Sequence, residues 1–277
     1  MDPRDAIGRT ETATDTLDPR PARLMQVTLD RAPTLGPDAP LPPFWHHLYF
    51  PPMDRASDLA EDGHAKLGTF LPDTGLPRRM WAASSVAFER DIRIGDTLTK
   101  TSTITNVEPK TGRSGPLVFV TVEHVYLREG ACCLIETQTI VYRGMPDATE
   151  ASKPAREAPG DARFGQTVTP NEALLFRYSA LIFYAHRIHY DPDFTRDVEG
   201  YPGLIVHGPL IATLLADLGA QHGNGRALKQ FDFRAHRPLF LPDPFRIEGR
   251  PDGTALETWA TAPDGGVAAT ARLTFAS

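Results

Sequence analysis

Two stretches of the chain alternate apolar and polar residues in the way that β-strands do. In the first half, four such segments are rich in Val, Ile, Thr and aromatic residues, and Gly, Pro and Asp turn signals separate them. In the second half, four more segments follow the same pattern. The eight segments are 79–92, 96–110, 116–129 and 131–144, then 227–240, 244–250, 254–262 and 265–276. The pattern predicts an antiparallel meander in each half.

One apolar stretch, residues 207–221, has the length and texture of a helix. In the first half the helix is harder to find, and residues 44–62 are the candidate. A helix wrapped by a curved antiparallel sheet is an α+β unit, so each half is expected to form one. The two halves then form a pseudo-repeat of architecture without evident sequence identity.

A composition change separates the two predicted units. Residues 146–165 are rich in Ala, Pro, Asp and Glu and contain no aromatic residue before Phe164, which is typical of a linker. We therefore predict an N-terminal unit at 1–145, a linker at 146–165 and a C-terminal unit at 166–277.

Charge and composition exclude several classes of function. The formal net charge of −6 provides no overall basic field, so no nucleic-acid partner is expected. The N-terminus lacks the apolar core of a signal peptide, and the most apolar stretch, 203–218, is too short and too polar to cross a membrane. The two adjacent cysteines, Cys132 and Cys133, resemble buried strand thiols. We expect a soluble, cytoplasmic protein.

Three of the nine histidines lie in two nearby motifs, "YAHRIHYD" at 184–191 and "VHGPL" at 206–210. His189 suits a general base, since the unperturbed pKa of histidine lies near the operating pH. His186 and Asp191 are either its partners or polar loop residues. His186 and His189 have a spacing that zinc could use on a helix, but the sequence offers no third ligand at a convincing spacing, so no metal is predicted.

The second motif predicts a helix start. Pro209 fits the first helical turn, where its missing N–H costs nothing, and Gly208 lets a ligand approach the backbone closely. The free N–H groups of such a turn could stabilise an oxyanion. His207 is either a neighbour of the cap or a substrate contact.

Four segments resemble the double hotdog hydratases of the MaoC-like enoyl-thioester hydratase superfamily. Two are C-terminal, "RYSALIFYAHRIHYDPDF" and "EGYPGLIVHGPLIATLLADL". The other two are N-terminal, "GTFLPDTGLPRRMWAASSVAFERDIRIGD" and "KTGRSGPLVFVTVEHVY". Together they cover about residues 40–277, and they are most similar to the bacterial mesaconyl-CoA and itaconyl-CoA hydratase branch.

The resemblance implies a fold and a site. The fold is two hotdog units with their sheets paired edge to edge, in which 207–221 is the central helix of the second unit and the N-terminal unit is vestigial and shapes the substrate pocket. The first N–H groups of that helix, at Gly208, would grip the thioester carbonyl. In the hydratase signature Asp-x-Asn-Pro-x-His, Asp and His hold the catalytic water. His189 falls at the His position and Tyr184 at the Asp position, while His186 and Arg187 replace Asn and Pro, so the partner of the base stays open.

Arginines are candidates for binding the acidic parts of such a substrate. Arg78 and Arg79 precede Trp81, and a guanidinium matches a carboxylate or phosphate in a bidentate manner. Arg187 and Arg237 are further candidates. The alternative is that at least one of Arg78 and Arg79 belongs to a solvated turn.

We therefore expect an enoyl-CoA hydratase that acts on a short carboxylated acyl-CoA and needs no cofactor beyond the coenzyme A of its substrate. The alternative is a hotdog thioesterase or an acyl-CoA binding module. Both a monomer and a homo-oligomer remain open, because two hotdog units in one chain already pair with each other.

Overall fold

The computed structural model describes residues 2–112, 115–145 and 156–276. Within these ranges ten strands form one antiparallel sheet, and there are three α-helices, of which the third packs against the sheet. The strands are β1 Thr10–Thr16, β2 Arg78–Phe88, β3 Thr97–Gly112, β4 Gly115–Arg128, β5 Ala131–Arg143, β6 Phe164–Val168, β7 Leu228–Ala235, β8 Phe245–Asp252, β9 Ala255–Thr261 and β10 Val267–Phe275. The helices are α1 Pro19–Thr28, α2 Glu172–Leu181 and α3 Gly208–Gln221.

The two halves of the chain meet edge to edge at the centre of the sheet. The strand order is β1-β3-β4-β5-β2-β7-β10-β9-β8-β6, so β1 to β5 come from the first half and β6 to β10 from the second. The join is the antiparallel pairing of β2 with β7, in which Ser84 lies opposite Phe233 and Val86 opposite Phe231. The expected joining of two sheets into one long sheet is confirmed.

The eight strands expected from alternation are present, but each half is not a simple meander. β2 pairs with β5 rather than with its sequence neighbour β3, and β7 likewise pairs with β10 rather than with β8. The first strand of each set therefore crosses over to the far side of the other three. This crossover frees one edge of β2 and one edge of β7, and those two edges join the halves.

Only the second half wraps its sheet around a helix among the described residues. α3 is buried along most of its length and packs against β7, β8, β9 and β10. The expected helix at 44–62 was wrong. Only two 3₁₀ turns form there, Trp45–Leu48 and Ala56–Asp58, because Pro51 and Pro52 between them cannot continue a helix. The first turn buries Trp45, His46 and Leu48, whereas the second buries none of its residues.

Several other elements were not expected. β1 is an exposed edge strand of sequence TETATDT, whose polar residues hide its strand character, and α1 packs against α2. β6 begins at Phe164, inside the predicted linker; residues 146–155 of that linker lie outside the described residues. Within the described ranges, no helix is long and apolar enough to span a membrane.

Candidate active site

The turn after α2 carries the first histidine motif. α2 begins at the side-chain cap of Asn171 and ends at Leu181. Phe183 then takes a left-handed conformation (φ 49°), and the backbone N–H of Tyr184 donates to the carbonyl of Ser179 at 2.8 Å. A 3₁₀ turn, Arg187–His189, follows. This reversal brings the ring of His189 to within 5.9 Å of the Tyr184 ring, measured between centroids.

His189 is buried and held in one tautomer. Its Nδ1 lies 2.8 Å from the carbonyl oxygen of Ile205. Because a carbonyl only accepts, Nδ1 carries the hydrogen and Nε2 presents a lone pair. Burial lowers the pKa of His189 to about 4, so the ring is neutral at pH 7. Its ring also stacks on that of His207, with 3.7 Å between the ring centroids.

His207 and Gly208 form the start of α3. His207 is the fully buried N-cap residue, and its Nε2 lies 2.8 Å from Ser179 Oγ. Its Nδ1 is buried and has no hydrogen-bond partner among the described residues. A Cβ added to Gly208 would lie 3.2 Å from the Trp81 ring, so glycine is the residue that fits under this ring. The same residues provide no partner for the buried Nε1 of Trp81.

The first half of the chain contributes two residues that the sequence did not point to. His64 Nδ1 lies 2.7 Å from Asp62 Oδ2, and His64 Nε2 lies 2.5 Å from the hydroxyl of Tyr184. The His64 ring also packs on His186, at 3.9 Å between centroids. The Asp-Gly-His sequence at 62–64 lies in a Pro- and Gly-rich stretch with no other motif beside it. The one signal that the sequence gives there is a histidine close to an acidic residue. We name Asp62, His64, Tyr184, His186 and His189 the Tyr184 cluster.

Gly63 makes the approach of these two loops possible. It takes a φ of +88°, and a Cβ there would lie 1.8 Å from the carbonyl oxygen of Ala185. Next to it, the Asp62 carbonyl accepts the backbone N–H of Arg187 at 2.9 Å. The cluster is therefore assembled across the two halves of the chain by direct backbone contact.

Burial and hydrogen bonds fix the protonation states of the Tyr184 cluster. Burial lowers the pKa of His64 and lowers that of His186 to about 2. Burial raises the pKa of Tyr184 to about 12. Burial also opposes ionisation of Asp62, but the hydrogen bonds from His64 hold the pKa of that carboxyl below its usual value. At pH 7 the cluster thus holds neutral histidines, a neutral phenol and one carboxylate.

Three of the four predicted substrate-binding arginines are paired with carboxylates of the protein itself. Arg78 binds Glu199 at 2.8 Å and stacks over Tyr201. Arg237 binds Asp264 in the turn between β9 and β10. Arg187 binds Asp191 at 2.7 Å and the Glu61 carbonyl at 3.2 Å.

Asp191 faces Arg187 rather than His189. One carboxylate oxygen accepts from Arg187, and the other accepts the backbone N–H of Phe194 at 2.9 Å. The latter bond, followed by that from Arg187, lowers the pKa of Asp191. The structure therefore places Asp191 and Arg187 together as a support of the histidine loop.

Arg79 differs from the other three arginines. Within residues 2–112, 115–145 and 156–276, no carboxylate lies within ion-pair distance of it. It lies opposite Tyr142 across β2 and β5. Burial lowers the pKa values of His64 and His186, and the charge of Arg79 adds to that lowering, whereas it opposes the rise that burial causes in the pKa of Tyr184. Burial also raises the pKa of Tyr142, and the charge and hydrogen bond of Arg79 oppose that rise. A cation and a buried hydroxyl thus lie together beside the Tyr184 cluster.

A second cluster of histidines and a carboxylate lies inside the first half. Glu136 is fully buried and accepts from Ser84 Oγ at 2.6 Å and from Gln138 at 3.1 Å. His46 Nε2 and His47 Nε2 each lie 3.0 Å from its carboxylate. Burial opposes its ionisation, but the two histidines hold the pKa of Glu136 well below its usual range. We name these five residues the Glu136 cluster.

Each cluster contains three potential metal ligands close together. The donor atoms of Asp62, His64 and His186 lie within 4.8 Å of one another, as do those of His46, His47 and Glu136. His186 belongs to such a group, but His189, whose spacing from it would suit zinc on a helix, does not. The ligand atoms of His46, His47, Glu136, Asp62 and His64 already take part in hydrogen bonds with neighbouring side chains.

Comparison with known proteins gives one family and one group of folds. A family model described as hydroxyacyl-thioester dehydratase type 2 matches residues 44–241. A mesaconyl-C(4)-CoA hydratase of Chloroflexus aurantiacus is 43% identical over 268 residues, which covers 96% of this chain and 95% of that protein.

Among solved structures, a MaoC-like dehydratase from Phytophthora capsici is similar with a TM-score of 0.70 at 17% identity, covering 99% of this chain and 98% of that one. A Mycobacterium tuberculosis protein described as having a double hotdog fold is similar with a TM-score of 0.59 at 13% identity, covering 96% and 95% of the two chains. At these identities the likeness concerns the fold alone, and it confirms the expected double hotdog class.

Proposed function

The chain belongs to the hydroxyacyl-thioester dehydratase type 2 family, and from that premise we propose that it catalyses the reversible hydration of a short enoyl-CoA that carries a free carboxylate, of the mesaconyl-CoA or itaconyl-CoA type. The observation that carries the proposal is the buried, neutral His189, whose free Nε2 lies beside the start of α3. A base and a set of backbone N–H groups are the two things that this reaction needs.

His189 is the base in this proposal. Its Nε2 takes one proton from a water molecule while the water oxygen bonds to the β-carbon, and the π electrons of the double bond move to the thioester oxygen as an enolate. The enolate then collapses and takes the proton back at the α-carbon. The imidazolium and the enolate form together, so the buried site does not gain net charge.

Gly208 is assigned to the enolate oxygen. The first turn of α3 has free backbone N–H groups and the positive end of the helix dipole, which favour a developing negative charge. Since the Trp81 ring lies against Gly208, we propose that this ring moves or slides along the acyl group when the thioester docks. Nδ1 of His207 is buried without a partner among the described residues, and such an atom supports the binding of a polar ligand at this site.

Arg79 and Tyr142 are assigned to the free carboxylate of the substrate. A guanidinium that pairs with no carboxylate of the described residues, next to a buried tyrosine hydroxyl, suits an incoming carboxylate. Arg78, Arg187 and Arg237 face carboxylates of the protein, so they are not needed for this role. The name of the Chloroflexus relative, mesaconyl-C(4)-CoA hydratase, supports an acyl group that keeps one free carboxylate.

The test is an assay with mesaconyl-CoA and itaconyl-CoA that follows the enoyl absorbance and the free thiol together. A hydratase removes the absorbance without releasing thiol. Release of thiol would instead favour the thioesterase. Binding without either change would favour an acyl-CoA binding module.

A further inference from the structure

The Tyr184 cluster contains a chain of hydrogen bonds that starts in the first half of the molecule and ends in the second. Asp62 Oδ1 accepts the backbone N–H of His64 at 3.0 Å, and Asp62 Oδ2 lies 2.7 Å from His64 Nδ1. His64 Nε2 lies 2.5 Å from the Tyr184 hydroxyl. His64 is 6% exposed, so the chain is shielded from solvent.

The direction of this chain follows from its first member. A carboxylate only accepts hydrogen bonds, so Nδ1 of His64 must carry the hydrogen. Nε2 of the neutral ring is then an acceptor, and the Tyr184 hydroxyl must donate to it. With its hydrogen committed to His64, the Tyr184 oxygen has only lone pairs to offer to the rest of the site.

His189 also presents a hydrogen-bond acceptor to the site. Its Nδ1–H is committed to the Ile205 carbonyl, so its Nε2 also presents a lone pair. The two rings lie 5.9 Å apart between centroids and are tilted by 40°, so both side chains border the same space. A water that donates one hydrogen to each acceptor keeps its own lone pair free to attack carbon.

We propose that Asp62 and His64 are positioning residues that turn the Tyr184 hydroxyl into the second acceptor for the attacking water. This rests on the proposed hydration reaction. One water proton goes to His189 Nε2, and the other stays on the new hydroxyl of the product, where it donates to Tyr184. Tyr184 keeps its own proton throughout.

Protonation states and packing both support this arrangement. Burial lowers the pKa of His64 and raises that of Tyr184 to about 12, so both groups are neutral at pH 7. The titratable and charged groups around His64 are Asp62, Arg79, Tyr184 and His186. Arg79 opposes protonation of His64 and Asp62 favours it. Gly63, between the two members of the pair, allows the loop to contact Ala185.

The decisive variant is Asp62→Asn, which keeps the shape of the side chain and reverses the direction of the hydrogen bonds from Asp62 to Tyr184. The asparagine oxygen stays with the backbone N–H of His64, as Asp62 Oδ1 does now, so the amide NH₂ faces Nδ1. Nδ1 must then accept, Nε2 must carry the hydrogen, and the Tyr184 hydroxyl must point its own hydrogen into the site. We expect kcat to fall by about 100-fold or more, because a wrong tautomer is costly in catalysis.

His64→Gln is the matched control. It changes the side chain more than Asp62→Asn does, but it keeps the direction of the hydrogen-bond chain. Its amide oxygen can accept from Tyr184, so kcat should fall by less than about tenfold. Tyr184→Phe removes the acceptor and should lower kcat by about 10- to 100-fold. A purely structural role predicts the opposite order, with the isosteric Asp62→Asn milder than His64→Gln, and that order would overturn the proposal.

Two further measurements separate this proposal from the proposed function. The ¹⁵N chemical shifts of His64 report its tautomer without any turnover. They should show Nδ1–H in the wild type and Nε2–H in Asp62→Asn. An active wild type with the other tautomer overturns the positioning role alone, whereas a wild type inactive on every enoyl-CoA overturns the hydratase proposal and this role with it. Stoichiometric metal in the purified protein, lost together with activity in Asp62→Asn, would also overturn it.

Discussion

The Tyr184 cluster and the Glu136 cluster are built from the same residue types and differ in how completely they are bonded. In the Glu136 cluster, one carboxylate accepts from a serine, a glutamine and two histidines, all contributed by the first half of the chain. The Tyr184 cluster is assembled from both halves. Beside it lie Arg79 with the Tyr142 hydroxyl, and two buried groups without a hydrogen-bond partner in the described part of the chain, the indole N–H of Trp81 and Nδ1 of His207.

This difference teaches how to separate a structural cluster from a working site. A buried polar group without a partner is costly, so natural proteins keep few of them. A saturated network stabilises the fold, whereas unused donors and acceptors around one space point to a ligand. The two clusters should therefore respond to matched substitutions in opposite ways.

Removal of the base is the change with the largest expected effect. His189→Ala should lower turnover by about two to four orders of magnitude, because it removes the group that takes the proton from water. Since the ring is buried against His207, some thermal stability will be lost as well. Turnover should therefore be measured per folded molecule, at a temperature well below the Tm of the variant.

His46→Ala in the Glu136 cluster is the control for this variant. It also removes a buried ring, so the Tm should fall, but turnover per folded molecule should stay within a few-fold of wild type. If His189→Ala retains full turnover while folded, the assignment of the base is wrong. If His46→Ala loses turnover as strongly, the distinction between the clusters is wrong.

Arg79→Met should act on substrate choice rather than on the chemical step. Loss of a charge-assisted contact to the carboxylate should raise the KM for mesaconyl-CoA by about 10- to 100-fold, in line with about 1.5–3 kcal/mol for such a bond. Crotonyl-CoA, which has no carboxylate, should be hydrated equally well by both proteins. An equal loss on both substrates would contradict the assignment of Arg79.

Mild acid should lower stability before it lowers activity. Burial lowers the pKa values of seven histidines, which are His46, His64, His124, His186, His189, His207 and His236. Below about pH 6.5 the unfolded chain binds protons that the folded chain does not, so the free energy of unfolding falls as the pH falls. The Tm should drop between pH 7 and pH 5.5.

The value of kcat/KM at 20 °C should change little over the same range, because His189 stays neutral down to about pH 4. An acid limb in kcat/KM with an apparent pKa near 6.5 would show that the base is not shielded as the structure has it.

Much of the fold could be predicted from the sequence because its strands alternate strongly. Segments such as "VFVTVEHVYL" carry a period of two that survives any tertiary context. The order of those strands could not be predicted. Pairing of β2 with β5 and with β7 depends on which edges are left free, and no local pattern encodes that choice.

The candidate site could also be predicted only in part. The position of His189 and the start of α3 at Gly208 followed from local motifs, and the structure brings them close together through the stacked His189 and His207 rings. Asp62 and His64 were missed because they lie 120 residues before the loop that they contact. Their meeting with Tyr184 depends on a fold contact at Gly63, which sequence spacing does not reveal.

The central claim is that the Tyr184 cluster, assembled across the two halves, does the chemistry and the Glu136 cluster holds the fold. The most direct measurement compares Asp62→Asn with Glu136→Gln, two isosteric changes of a buried carboxylate bonded to histidine, by kcat and by Tm on the same preparations. Asp62→Asn should lose about 100-fold or more in kcat with little change in Tm. Glu136→Gln should lose about 5 to 10 °C in Tm, from a loss of about 2–3 kcal/mol, with kcat per folded molecule within a few-fold of wild type. Equal effects of the two variants on both quantities, or the reverse pattern, would contradict the account.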